Sequence, residues 1–331
     1  MWAYIVRRVL YYIPLYLCIL LVVMLLLRIN QGEAVASQLG KNPTPEQIEL
    51  IKADMGLDQG VHVQYWNYLT DVFTLSFDAR SWDQKRPVGE MIRSSIPPTL
   101  MITVPSLLTT AAISIVIGLV CSFKRGRITD KGLMFAAVLG MSVSYLVYII
   151  IGQYFGAFLL GERMGITPFA VEGYEPIFGA LEAGDTAFFA PGNWVKYCML
   201  PVLIGVIVSM GYDTRFYRAV MVEESTKDHI VTARAKGAPD WKIMSVHMLK
   251  NAMIPIITRV TITLPFLITG SILVEQYFNI PGMGRMLING IVARDFPVVQ
   301  ATVAILAAAV IVTVILTDVL YALVDPRVRL S

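Results

Sequence analysis

Apolar runs long enough to cross a bilayer alternate along this chain with charged loops, and they predict helices. The first run, Val9 to Leu27, is bracketed by Arg7 and Arg8 before it and Arg28 after it; it approaches the roughly 20 residues that span a hydrocarbon core. Thr99 to Ser122 and Gly132 to Gly161 carry no charge. Tyr197 to Tyr212 is shorter, but a helix can continue from it through Asp213, Arg215 and Arg218. Ala252 to Val274 and Phe296 to Thr317 complete six predicted spans, with Arg259 able to snorkel toward the cytoplasmic side. An all-α integral membrane protein follows.

Between the first two runs the pattern turns polar and carries its own helix signals. Thr44-Pro45-Glu46-Gln47 forms a capping box with proline at the first helical position, Ile48, Ile51 and Met55 keep helical spacing, and Gly56 ends the helix. Val61 to Phe73 gathers Tyr65, Trp66 and Tyr68. That aromatic group suits a helix at the membrane interface or a small extramembrane helix pair, and both readings stay open. Ala34-Val35-Ala36 resembles a signal-peptide cleavage site. The preceding run is longer than the roughly 7 to 15 residues of a signal core, so it reads as a retained first span.

Charge orients these spans. Lys124, Arg125, Arg127 and Lys131 face only Asp130 in one short loop, which the positive-inside rule assigns to the cytoplasm. The loop Glu162 to Asn193 carries Glu162, Glu172, Glu175, Glu182 and Asp185 against Arg163 and belongs outside. Both termini are then cytoplasmic. The expected organisation is a first transmembrane helix (1–29), an extracytoplasmic helical segment (30–98) and a core of five spans (99–331) with a cytoplasmic loop at 221–252.

Composition agrees: of 331 residues 56% are hydrophobic and 15% charged, with mean hydropathy +0.64. A net charge of +3 is too small to point to nucleic acid. Cys18, Cys121 and Cys198 each sit in an apolar run and suggest no disulfide framework. The 16 methionines are scattered among the spans, which favours core packing over a metal pathway. The chain has no phosphate-binding G-x-x-x-x-G-K-[ST], no G-x-S-x-G nucleophile and no H-E-x-x-H zinc motif, and His62, His229 and His247 are dispersed. No enzyme active site, bound cofactor or metal site is expected.

The loop before the fifth span has the most specific local pattern. Asp228 to Lys236 places acid early and Arg234 and Lys236 late, matching the helix dipole, and Gly237 supplies a left-handed cap. A second helix can start at Pro239 or Asp240, with Trp241, Met244 and Met248 on one face. Such a hairpin fits a lever that docks on a partner, or a helix pair lying on lipid.

Thr232-Ala233-Arg234-Ala235-Lys236-Gly237, followed by His247, Leu249, Asn251, Ala252, Ile254 and Pro255, resembles the permease signature of bacterial ABC importers in the form used by the dipeptide, oligopeptide and nickel permease family. Tyr4 to Arg8, Thr44 to Ile48, Gly56 to Gln59, Glu275 to Gly284 (EQYFNIPGMG), Arg294 to Gln300 and Tyr321 to Arg329 are similar to that family in the same order. It departs from the family at two single positions and one short stretch. Val231 stands where the general signature has glutamate, Ser144 replaces a proline after Ser142-Val143, and Gln31-Gly32-Glu33-Ala34 replaces a Pro-Gly-Asp-Pro stretch.

The resemblance implies a non-catalytic permease subunit of the bacterial cytoplasmic membrane. It further implies a second homologous permease, two ATPase subunits that use ATP and Mg, and an extracytoplasmic solute-binding protein. Thr232 to Gly237 would grip the ATPase, supported by Trp241, His247, Asn251 and Pro255. Ser142, Ser144, Gln153, Thr258, Thr261, Thr269 and Ser271 are candidates to line a peptide path, and Glu275 to order an outer gate beside Pro281-Gly282-Met283-Gly284. The alternative is a non-transporting receptor or scaffold whose loop binds a cytoplasmic partner.

Overall fold

The computed structural model describes residues 2–29, 32, 35, 44–54, 57–165, 167–175, 191–263 and 272–324. Among these the regular secondary structure is helical, apart from one isolated antiparallel bridge between Arg80 and Pro87. Among the described residues, five helical stretches are long and apolar enough to cross a membrane: Val6–Ile29, Val88–Phe123, Tyr145–Arg163, Met199–Ser225 and Phe296–Thr317.

Helix α1 (Trp2–Ile29) has 28 residues, about 42 Å at 1.5 Å per residue, and contains Pro14. The polar segment then folds as α2 (Pro45–Asp54) and α3 (Val61–Thr74). The capping box forms as expected: the Gln47 N–H donates to Thr44 Oγ1 at 3.4 Å, and the Thr44 N–H donates to Gln47 Oε1 at 3.0 Å. Helix α3 packs through its aromatics. Tyr65 donates to the Leu17 carbonyl of α1 at 2.8 Å, and Tyr68 donates to the Gln300 carbonyl at 2.8 Å, while Trp66 stays exposed.

Helix α4 (Val88–Phe123) begins well before Thr99, and its 36 residues, about 54 Å, reach beyond the bilayer. Pro97, Pro98 and Pro105 lie inside it. Its early start buries Val88, Met91 and Ile92 in a cluster with Leu20, Met24, Tyr68, Met283 and Val298.

The third run is not one helix. Helix α5 (Ile128–Ser142) stops, Val143 (φ −88, ψ 137) and Ser144 (φ −59, ψ 141) are extended, and α6 (Tyr145–Ile151) restarts the span. It continues through a π-helical turn, Gly152–Phe158, into α7 (Leu159–Met164). Ser142 Oγ donates to its own helix at the Val138 carbonyl, 2.7 Å away, a bond that competes with regular helix geometry. Ser-Val-Ser occupies the break, which forms without a proline.

Helix α8 (Pro191–Tyr197) leads into α9 (Met199–Ser225), which carries the fourth span past Asp213, Arg215 and Arg218 as the sequence predicted. The hairpin follows as α10 (Asp228–Ala235), α11 (Asp240–Lys242) and a π-helical turn, Ile243–Met248. The fifth predicted span is described at its two ends, α12 (Leu249–Thr263) and α13 (Ile272–Tyr277); Thr269 and Ser271 lie outside the described residues. Helices α14 (Met283–Val292) and α15 (Phe296–Val324) complete the described residues. The Asp295 carboxylate accepts from the Val298 N–H at the start of α15 and from Ser81 Oγ, which ties the 81–87 loop to the last span.

Candidate coupling hairpin and outer carboxylate

The hairpin is a packed body with one exposed edge. Ile230 turns inward to a cluster containing Tyr217, Met221, Ile243, Met248, Ala252 and Ile256, and Ala233 is buried as well. Of the six signature residues only Ala233 is buried; Thr232, Arg234, Ala235, Lys236 and Gly237 are exposed together. Gly237 has φ +76, the left-handed conformation that a residue without Cβ adopts freely, and the Ala238 N–H donates back to the Ala233 carbonyl at 3.1 Å to close the turn. Val231 is 61% exposed beside them.

The second arm corrects one expectation. With α-helical spacing Trp241, Met244 and Met248 would share a face, but the π-helical turn buries Ile243 and Met248, five residues apart, and leaves Trp241 68% exposed. Trp241 thus lies outside the buried cluster of the hairpin.

Charged groups on α9 fasten this hairpin and the neighbouring segments. The buried Glu224 carboxylate accepts from Lys227 Nζ at 2.5 Å and lies 3.2 Å from His229 Nε2. Asn251 Nδ2 is 3.1 Å from the same His229 nitrogen and donates to the His247 carbonyl at 2.9 Å. One turn of α10 is therefore pinned both to the end of α9 and to the start of α12. Pro255 lies within α12, four residues beyond Asn251.

On α12, Arg259 does not snorkel freely. Its Nε meets Asp213 Oδ1 at 2.9 Å, and its guanidinium lies 5.8 Å from the Phe216 ring centre. Arg218 grips Asp130 of the basic loop with two bonds of 2.6 and 2.7 Å. Those bonds outweigh desolvation, and with the Gly126 N–H they hold the Asp130 carboxyl at about 2. Sequence reading passed over Glu224, His229, Asp213, Asp130 and Arg218 as parts of one device. The available signal was ionisable residues running on from an apolar helix, which membranes tolerate only when partnered.

Asp130→Ala is expected to destabilise the detergent-solubilised protein by about 1–3 kcal/mol, because it strands a half-buried guanidinium. Thermal unfolding of Asp130→Ala, Arg218→Ala and the double variant checks this. The double variant should lose less than the sum of the single variants, and strict additivity contradicts the pairing.

At the other end of the molecule Glu275 is 1% exposed. Its Oε1 accepts from Thr99 Oγ1 of α4 at 2.8 Å, and its Oε2 accepts from the Arg285 N–H at 3.0 Å. Thr99 Oγ1 in turn accepts from the Met283 N–H at 2.8 Å. Gly282 and Gly284 form the cradle: a Cβ on Gly282 would stand 2.4 Å from Glu275 Cδ, and one on Gly284 3.0 Å from Oε2. The carboxylate thereby joins α4, α13 and the start of α14.

The remaining predicted residues divide between these regions. Gln153 Nε2 donates to the carbonyls of Val171 at 2.9 Å and Tyr277 at 3.0 Å, bridging the outer loop to the end of α13. Thr258 and Thr261 each donate to their own helix, at Ile254 and Ile257, and Thr261 is buried. Ser142 and Ser144 flank the break in the third span, both exposed.

Comparison with known proteins joins these features to a family. Residues 1–103 match the family described as binding-protein-dependent transport system membrane component, N-terminal, and residues 114–330 match the binding-protein-dependent transport system inner membrane component. The chain is 32% identical over 329 residues, 99% of each chain, to a protein of Brucella abortus (strain 2308) named a peptide transport system permease. It is 33% identical over 327 residues, 98% of each chain, to the glutathione transport system permease protein GsiC of Salmonella choleraesuis (strain SC-B67). GsiC of Salmonella typhimurium matches over the same length and at the same identity. The two halves of the chain match in sequence order and cover nearly its whole length, and on that basis it belongs to the family of binding-protein-dependent transport system inner membrane components, the non-catalytic, multi-pass permease subunits of ABC importers.

Proposed function

We propose that this permease carries short peptides inward, forms half of the path with a second homologous permease, and is driven by two cytoplasmic ATPases that grip Thr232 to Gly237. The observation that carries the reading is the hairpin itself. Its exposed turn is pinned by Glu224 and His229 to the fourth span and by Asn251 to the fifth, so a displacement of the turn reaches both spans as a rigid movement. ATP and Mg belong to the ATPases, which supply the nucleotide site this chain's sequence lacks. An extracytoplasmic binding protein delivers the solute and sets its identity. Peptide is preferred to a nickel chelate because the relatives named above are peptide and glutathione permeases, and glutathione is itself a tripeptide.

Inverted vesicles carrying the chain with a second permease, two ATPase subunits and a binding protein test this. ATP-dependent movement of a labelled dipeptide or of glutathione, absent without the binding protein, is the expected result. A receptor or scaffold would show none. Transport of nickel alone would move the substrate class while leaving the permease reading intact.

A further inference from the structure

The break in the third span lies where lipid cannot accommodate it. About 18 Å of helix separates Lys131 from Val143 and about 28 Å separates Val143 from Glu162, so residues 142–144 sit inside a hydrocarbon core about 30 Å thick. The backbone of Val143 and Ser144 is extended, and all three residues are exposed. Among the described residues the N–H groups of Val143 and Ser144 have no backbone acceptor, and the Ser144 hydroxyl caps no amide. One carbonyl at the break is satisfied within the chain: Tyr148 donates to Gly140 at 3.0 Å. A cavity beside it, about 480 Å³ in volume, is lined by Gly140, Ser142, Val143, Tyr148, Ile207 and Met210, among others.

Unpaired backbone donors at membrane depth persist only against protein or water, never against acyl chains. Regular helices such as α1 can turn their exposed apolar faces to lipid, whereas this link cannot. We propose that residues 142–144 form a wall of the translocation path. There the Val143 and Ser144 N–H groups and the Ser144 hydroxyl meet water and the acceptor oxygens of a peptide solute. The inference rests on the permease reading and deepens it by saying which element of this subunit faces the solute.

The test uses the full chain with its partners in membrane vesicles, with Cys18 changed to serine because it is exposed, and with Cys121 and Cys198 left buried. S142C and S144C are compared with V22C on the exposed face of α1. A charged, membrane-impermeant thiosulfonate is applied to vesicles of both orientations, and peptide uptake is measured in the same preparations. We expect S142C and S144C to react at least tenfold faster than V22C, and the dipeptide or glutathione that supports uptake to slow the S144C reaction. Uptake-competent vesicles in which S144C reacts no faster than V22C overturn the inference, as does a fast reaction that solute leaves unchanged. Fast reaction in vesicles that take up no peptide would retain the aqueous wall and discard peptide as the solute.

Discussion

Gly237→Leu is expected to abolish solute-stimulated ATP hydrolysis by the assembled transporter, at least tenfold, while the chain still inserts and folds. The reason is conformational before it is steric. At φ +76 an L-residue costs about 1–2 kcal/mol, and no heavy atom stands within 4 Å of the position a Cβ would take, so leucine meets strain rather than an internal clash. Relief of that strain moves the closing bond from Ala238 to Ala233 and with it the edge formed by Thr232, Arg234, Ala235 and Lys236. Where the strain is tolerated, the leucine side chain still projects from the edge that docks. Gly237→Asn separates the two effects, because asparagine tolerates the left-handed region with a small polar side chain. It should retain much of the coupled hydrolysis. Normal solute-stimulated hydrolysis by Gly237→Leu would refute the docking role of the turn.

How much of this was legible beforehand follows from the range of each signal. Helices and most span positions come from local hydropathy, and the Gly237 turn from one glycine following a helix with acid first and base last; both are properties of a few adjacent residues. The break at Val143 was hidden because nothing in an uncharged run distinguishes a helical Ser-Val-Ser from an extended one. The outward turn of Trp241 was hidden because one π-helical turn shifts the register of everything beyond it. Pairs distant in sequence were the least visible. Thr99 and Glu275 are separated by 176 positions and Arg218 and Asp130 by 88, so each could be flagged as ionisable or polar in an apolar setting but not matched to its partner. Glu275 was picked out by its place beside Pro281-Gly282-Met283-Gly284, and that nearness in sequence becomes the cradle in space.

That cradle yields the other large effect. Gly282→Ala is expected to lower uptake at least tenfold, because its Cβ would stand 2.4 Å from Glu275 Cδ, a separation that real atoms do not reach. Either the turn or the carboxylate must give way. If the carboxylate moves, Thr99 Oγ1 and the Arg285 N–H lose their acceptor in a buried site, at about 1–3 kcal/mol for each group left unpaired. If the turn moves, the Met283 N–H leaves Thr99 and the start of α14 detaches from α4. Both routes loosen the outer end while the hairpin at the opposite end stays whole. Uptake should therefore fall further than ATP hydrolysis, which separates an outer gate from general unfolding. The decisive measurement is the double variant. Glu275→Ala removes the atoms that the new methyl would strike, so adding Gly282→Ala to it should cost uptake little more, whereas in the native background the same methyl is severe. Equal losses in the two backgrounds would mean that Gly282 serves the turn alone and that the carboxylate is not what it cradles.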